Sequence, residues 1–144
     1  MMMTMTEKYK IVAKYIKDMS SETPNLETFL FVKDRIKNYS LTIDIQSKAL
    51  KNKHVEVDTT LKFEDKDKNE KKSYFEMVFS SIVKINENIN EKKEIQKIIL
   101  SDVQVEIYPE LENAFENMLN NSGYPDMKIE KKIDFEKLYN NRFS

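Results

Sequence analysis

Val55-Glu56-Val57-Asp58-Thr59-Thr60-Leu61-Lys62-Phe63 alternates in character along almost its whole length. In an extended chain Val55, Val57, Thr59, Leu61 and Phe63 share one side, and His54, Glu56, Asp58, Thr60 and Lys62 share the other. A period of two, rich in β-branched residues, predicts a strand with one buried and one wet face. Upstream, Tyr39, Leu41, Ile43 and Ile45 alternate with Ser40, Thr42, Asp44 and Gln46, a second strand of the same kind. Downstream, the charged stretch Glu64 to Lys72 leads into Ser73 to Ile85, where Phe75, Met77, Phe79 and Val83 share a face. Tyr74, Val78 and Ile82 lie on its other face, so this strand is expected to be covered twice, the second time by another subunit. Tyr9 to Asp18 also alternates, with Ile11, Ala13 and Tyr15 set against Lys10, Val12, Lys14 and Ile16. Turn residues from Ser20 to Asn25 close it. Leu26 to Val32 is apolar without a period and reads as an ordered connection. Strands that follow one another on short links predict an antiparallel meander.

The second half changes period. Ile95, Ile98 and Ile99 fall at helical spacing within Glu91 to Leu100. Val103 to Tyr108 alternates and is locally compatible with an extended chain, while Pro109 can open a helix or kink a running one. Leu111, Ala114, Phe115, Met118 and Leu119 form an apolar stripe that should end near Asn120 to Gly123, where glycine suits the C-terminal cap. After a turn at Tyr124-Pro125-Asp126, Asp134 can cap a last helix carrying Phe135, Leu138 and Tyr139. Strands first and helices second make the expected fold α+β, a four-stranded antiparallel sheet followed by a long helix and a short C-terminal one. A length of 144 residues fits a single domain over 1–144.

Composition removes many functions. No cysteine means no disulfide, thiolate catalysis or Cys-ligated zinc, and the single glycine removes the usual Gly-rich phosphate loops. The 24 basic residues against 25 acidic ones leave a formal charge of −1, too little to hold nucleic acid or an anionic membrane. Only two of the basic residues, Arg35 and Arg142, carry the planar fork that phosphate recognition favours. The N-terminus shows no basic segment followed by an apolar one, and runs such as Met77-Val78-Phe79 are too short to span a bilayer. A cytoplasmic protein without direct membrane insertion is the expectation.

Two acidic constellations invite a metal reading. His54, Glu56 and Asp58 share a strand face, but one wet strand face lacks the several elements and outer hydrogen bonds that hold a metal. Asp65, Asp67, Asn69 and Glu76 match positions of a calcium loop, yet Glu70 stands where that loop needs glycine. We read both as solvated surface, with no metal site. No carboxylate pair or nucleophile–base set stands out as catalytic, so no catalytic residue is assigned and a small enzyme is the weaker class. The aromatic and Met surplus, including Phe29, Phe31, Tyr39, Tyr108, Phe115, Met118, Phe135 and Tyr139, fits either a core and subunit interface or a plastic apolar groove for peptides.

The segment Tyr15-Ile16-Lys17-Asp18-Met19-Ser20-Ser21-Glu22-Thr23-Pro24-Asn25 resembles the opening motif of the SecB family of protein-export chaperones, Tyr-x-Lys-Asp-x-Ser-x-Glu-x-Pro-Asn. Ile107-Tyr108-Pro109 matches a second family segment, and Tyr124-Pro125 followed by Ile133-Asp134-Phe135 and Leu138-Tyr139 a third, in the same order. The resemblance spans roughly Tyr9 to Phe143. It implies the same sheet-and-two-helix fold, sheets paired between subunits, and pairs joined through long helices into a homotetramer. It implies ATP-independent holding of unfolded precursor chains in apolar grooves, with no cofactor. The groove candidates are Leu26, Phe29, Tyr39, Leu41, Ile43, Tyr108, Leu111, Phe115 and Leu138. Asp18, Glu22, Tyr74 and Glu76 fall on the positions of the patch by which the family reaches the translocase motor SecA. The alternative the resemblance offers is a solitary SecB-like chaperone dedicated to the antitoxin of a toxin–antitoxin pair. The chain departs from the family in its near-neutral charge, in Ser80-Ser81 where the family carries a glycine pair, and around Val103-Gln104-Val105, where a Cys-Pro-Asn is absent.

Overall fold

A computed structural model describes residues 7–125, 127–129 and 133–143. Asp126 of the expected turn and Met1 to Thr6 lie outside the described residues. The elements run β1 (Tyr9–Glu22), α1 (Leu26–Arg35), β2 (Tyr39–Ala49), β3 (His54–Asp65), β4 (Tyr74–Ile85), α2 (Lys92–Lys97), α3 (Val103–Asn121) and α4 (Phe135–Phe143).

All four strands form one antiparallel sheet, in the order β1-β4-β3-β2. The consecutive strands β2, β3 and β4 form the expected meander, but β1 does not extend it beside β2. It crosses over and pairs with β4, which makes the sheet a Greek key with β1 and β2 at its edges. Local patterning specifies strands and their faces, whereas neighbour order depends on which edges can be reached and covered. The crossover is α1, where the sequence suggested only an ordered connection. Asn25 caps it by accepting from the Thr28 backbone N–H at 2.8 Å. Only Thr28 and Val32 of α1 are buried, four residues apart, so its apolar run shows no helical stripe.

β3 and β4 alternate as expected, with Val57, Leu61, Phe75, Met77 and Val83 in the core. β1 departs from simple alternation because its pairing shifts between Ile11 and Ala13 and again between Ile16 and Asp18. Each bulge inserts a residue and reverses the faces that follow it. Tyr9, Ile11, Lys14, Ile16, Met19 and Ser21 therefore pair with the core-facing row of β4. Lys14 reaches Glu110 of α3 at 2.6 Å and Tyr9 donates to Glu106 at 2.9 Å, which fastens this edge strand to the helix.

Val103 to Tyr108, compatible with a strand in isolation, is helical. Val103, Ile107, Leu111 and Phe115, four residues apart, are all buried without measurable exposure, while Val105 faces outward. Over six residues the two periods coincide, and only the longer register separates them. A π turn at Ile98–Asp102 joins α2 to α3. Gln104, buried, donates to the Ile99 carbonyl at 3.1 Å and accepts from the Thr59 hydroxyl at 2.9 Å, tying the helix to β3. Pro109 sits inside the running helix and opposes the carbonyl of Val105, on its outward side.

The helix ends as expected at Gly123, whose φ of +104° lies in the left-handed region. Asp134 caps α4 by accepting from the Lys137 N–H at 3.0 Å. Gly123 also lets α1 approach: a Cβ there would lie 2.5 Å from Phe29 Cε1, and Phe29 packs on Tyr124 with centroids 5.5 Å apart. Gly123→Ala combines a strained φ with this clash. It should cost about 1–3 kcal/mol, read as a lowered Tm with the sheet signal retained.

Candidate functional site

The nine groove candidates divide by burial. Tyr39, Leu111 and Phe115 belong to the core; Phe115 meets Phe63 edge-on at 6.4 Å, and Tyr39 lies 5.4 Å from Phe63 and 6.2 Å from Phe75. The Tyr39 hydroxyl accepts from the Ser73 N–H at 3.2 Å, and burial raises its pKa. Tyr108 is buried against Phe135 at 5.3 Å, its pKa pushed up to about 12 by burial and by Glu112. None of these four offers a client an open surface within one subunit, because the first three are closed in between the sheet and the long helix and Tyr108 is covered by Phe135. Phe29, Leu41 and Ile43 are half-buried and packed against the core, with Ile45 beside them. Leu26 and Leu138 are open, at 71% and 45% exposure. Leu30, one turn beyond Leu26, is exposed too. Its spacing becomes a signal only once α1 is known to be a helix.

Strand register sets Asp18, Glu22, Tyr74 and Glu76 on the outer sheet face. Glu22 pairs with Tyr74 and Ser20 with Glu76, while Asp18 stands opposite Val78. Tyr74 donates its hydroxyl proton to Glu76, and Lys62, opposite Glu76 on β3, approaches it at 3.8 Å. Asp18 and Glu76 also line a shallow concavity of about 710 Å³, together with Lys17, Asp44, Asp58 and Lys62. Lys17, at the second bulge of β1, reaches across β4 to Glu56 at 3.1 Å and Asp58 at 2.9 Å. These contacts keep its ammonium firmly protonated. Glu56 and Asp58 hold a lysine, and His54 Nδ1 lies against the Lys51 and Asn52 carbonyls, so the three do not converge.

The calcium-like loop is resolved in a similar way. The Asp65 carboxylate, 4% exposed, receives Arg35 Nε at 3.1 Å, Asn38 Nδ2 at 2.8 Å, Asn69 Nδ2 at 3.0 Å and the Asp67 N–H at 3.0 Å. Arg35 also meets Asp67 at 2.9 Å, so a guanidinium from α1 occupies the cation's place. Among the described residues no group of three histidines or acids could hold a metal ion. Among them, too, no helix is long and apolar enough to cross a membrane.

Arg35, followed by the Asp67 N–H, holds the Asp65 carboxyl well below the usual carboxylate range. Its folded pKa lies below its unfolded value of about 3.9, so this contribution is present at neutral pH, begins to be lost as pH approaches that value and is gone once pH falls through the folded pKa. Asp65→Asn should lower the Tm at neutral pH and flatten its decline below about pH 5, measured by thermal melts across pH.

A four-stranded antiparallel sheet backed on one face by a long helix, with Leu26, Leu30 and Leu138 open on the helices and a half-buried apolar row on the edge strand β2, defines an α+β scaffold with exposed apolar surface. The profile of the family described as preprotein translocase subunit SecB matches residues 3–144, and the chain belongs to the SecB family. It is 55% identical over 138 residues to a relative from Pelagibacter ubique whose name assigns it to protein export as SecB, covering 96% of this chain and 99% of that one. A protein-export protein SecB of Bradyrhizobium is 23% identical over 130 residues, covering 90% of this chain and 78% of the relative. Among solved structures, the Mycobacterium tuberculosis Rv1957 SecB-like chaperone, in complex with a ChAD peptide from the HigA1 antitoxin, superposes with a TM-score of 0.66. That match has 10% identity and covers 88% of each chain, a likeness of fold.

Proposed function

We propose that this chain is an ATP-independent holdase that keeps precursor polypeptides unfolded for export. The observation that carries this reading is membership of the SecB family over nearly the whole chain. Clients bind by apolar side chains, each buried Å² of apolar area contributing about 25 cal/mol. Several weak patches on one client add avidity. The accessible walls of the groove are Leu26, Phe29, Leu41, Ile43 and Leu138, with Tyr39, Tyr108, Leu111 and Phe115 as the rigid backing behind them. The working form is a cytosolic homotetramer built as a dimer of dimers. The free β1 edge supports sheet pairing between subunits, because it exposes Tyr15 and Met19 at 47% and 55% together with Val12 and Ile16. Asp18, Glu22, Tyr74 and Glu76 are the docking patch for SecA.

The decisive experiment is suppression of aggregation of a chemically unfolded, non-native client without nucleotide. Suppression near one tetramer per client is expected. A folded, oligomeric protein that suppresses nothing would overturn the general holdase in favour of a chaperone with one dedicated antitoxin client, the second reading, suggested by the ligand of the mycobacterial neighbour. Leu26→Ser with Leu138→Ser should weaken client capture several-fold while circular dichroism stays unchanged. Phe115→Ser should instead unfold the subunit, since emptying a buried phenylalanine site costs about 3–5 kcal/mol. Asp18→Lys with Glu76→Lys should leave client capture intact and weaken only SecA binding, measured by titration against immobilised chaperone.

A further inference from the structure

The crossover helix α1 meets the rest of the chain through little apolar surface and much charge. Val32 is its one fully buried apolar side chain, while Phe29 and Phe31 are half-buried. Its ion pairs go to a single segment, the end of β3 and the loop that follows. Near the C-terminus of the helix Arg35 meets Asp65 at 3.1 Å and Asp67 at 2.9 Å, and near its N-terminus Glu27 meets Lys71. Glu27 and Arg35 stand eight residues apart, about 12 Å along the axis, so the loop runs beside the helix in the opposite direction. The two ends of the crossover are held differently, and both by Ser73. The Thr23 hydroxyl, just before the helix, bonds to the Ser73 hydroxyl at 2.7 Å, and the Ser73 N–H donates to the hydroxyl of Tyr39, just after it, at 3.2 Å. Ser73 is itself buried and also reaches the Tyr124 hydroxyl at 3.4 Å. Between these two feet Phe29 rests on Tyr124, which stands 5.7 Å from Phe75, itself 6.2 Å from Tyr39.

We propose that α1 is an electrostatically latched strap, which lifts as a unit from this aromatic row while Thr23 and Tyr39 stay seated on Ser73. Its ion pairs with the β3–β4 loop set how often it opens. A segment with few buried apolar contacts opens locally at a lower free energy than the core, and here charge supplies the closure that packing does not. The latch has an inner and an outer part. Asp65 is nearly sealed from solvent, whereas Asp67 and Glu27 are 69% and 73% exposed, so counterions reach the outer pairs and hardly reach the inner one. Ionic strength is therefore the input, and the output is apolar surface: a lifted strap bares Val32, Phe29 and the face of Tyr124. A lid closed by packing alone would not loosen in salt, because salt does not weaken apolar burial. The motion belongs to one subunit and involves no client, so it stands or falls independently of the holdase reading.

The test is amide hydrogen exchange of the intact protein, followed residue by residue by NMR. From about 0.05 to about 1 M sodium chloride the amides of Phe29 to Arg35 should exchange about twofold to fivefold faster, the range that screening exposed ion pairs supplies. The amides of Ser73, at the foot, and Leu61, in the central strand β3, should keep their rates. Arg35→Met combined with Asp65→Asn removes the inner pair without stranding a buried carboxylate. This variant should exchange about tenfold or more faster over the same helix and bind more of the dye 1-anilinonaphthalene-8-sulfonate. Lys71→Glu changes only an exposed pair and leaves the core untouched; it should also speed exchange in α1, and adding Glu27→Lys should reverse most of that gain. Equal acceleration at Leu61 would reduce the ion pairs to a contribution to global stability, and acceleration at Ser73 would mean that the feet leave with the helix. Either result overturns the strap, as would rates in α1 that ignore salt or an α1 already unprotected in the wild-type protein.

Discussion

The buried side chain of Gln104 holds the helical layer to the sheet. The π turn before α3 leaves the Ile99 carbonyl to be satisfied, and the Gln104 amide supplies the donor; its own carbonyl takes the Thr59 proton from the centre of β3. A polar pair at such depth is tolerable only when every member is bonded, and it then permits one register. With that register set, Val103, Ile107, Leu111 and Phe115 meet the sheet in succession. A helix slid by one residue would break the Thr59–Gln104 hydrogen bond and bury two unsatisfied groups, a penalty of about 1–3 kcal/mol for each.

The remaining architecture follows from how much that one helix can cover. It closes over β3 and β4, which are nearly dry on their inner face. It leaves the edges incomplete: β1 carries exposed Ile16 and Met19, and β2 carries half-buried Leu41, Ile43 and Ile45. A monomer with two unfinished edges has a surplus of apolar surface and of backbone groups in search of partners. β1 is broken by two bulges, whereas β2 is regular along its whole length. α1 bridges these edges and is fixed at both ends, by Phe29 over Gly123 and by Arg35 in the Asp65 cluster.

Strands β2, β3 and β4 were legible because one face of each is wet or half-wet, so hydrophobicity carries the period. α1 was not, because only Thr28 and Val32 of its ten residues are buried. Asn25, which caps it, reads in the sequence as part of a turn, because no stripe follows it. The candidate site was legible in kind and mixed in detail. Leu41, Ile43 and Phe115 have the same side-chain character in sequence, and only their distance from α3 makes the first two edge residues and the third a core residue. The acids and lysines of the outer face were visible as residues, but not which meets which, because Lys17 reaches its partners across an intervening strand.

By itself the sequence determined the types of most elements, the helix stop at Gly123, the cap at Asp134 and the absence of cysteine and glycine-loop chemistry. These are local properties, set by side-chain period and backbone conformation within a few residues. The opening motif from Tyr15 to Asn25 added the family. Tertiary structure alone decided that β1 pairs with β4, that its faces reverse at two bulges, and that Arg35 fills the calcium-like loop. It also decided which apolar residues remain accessible at the β2 edge. Each of these depends on contacts between residues far apart in the chain, whose geometry no local period encodes.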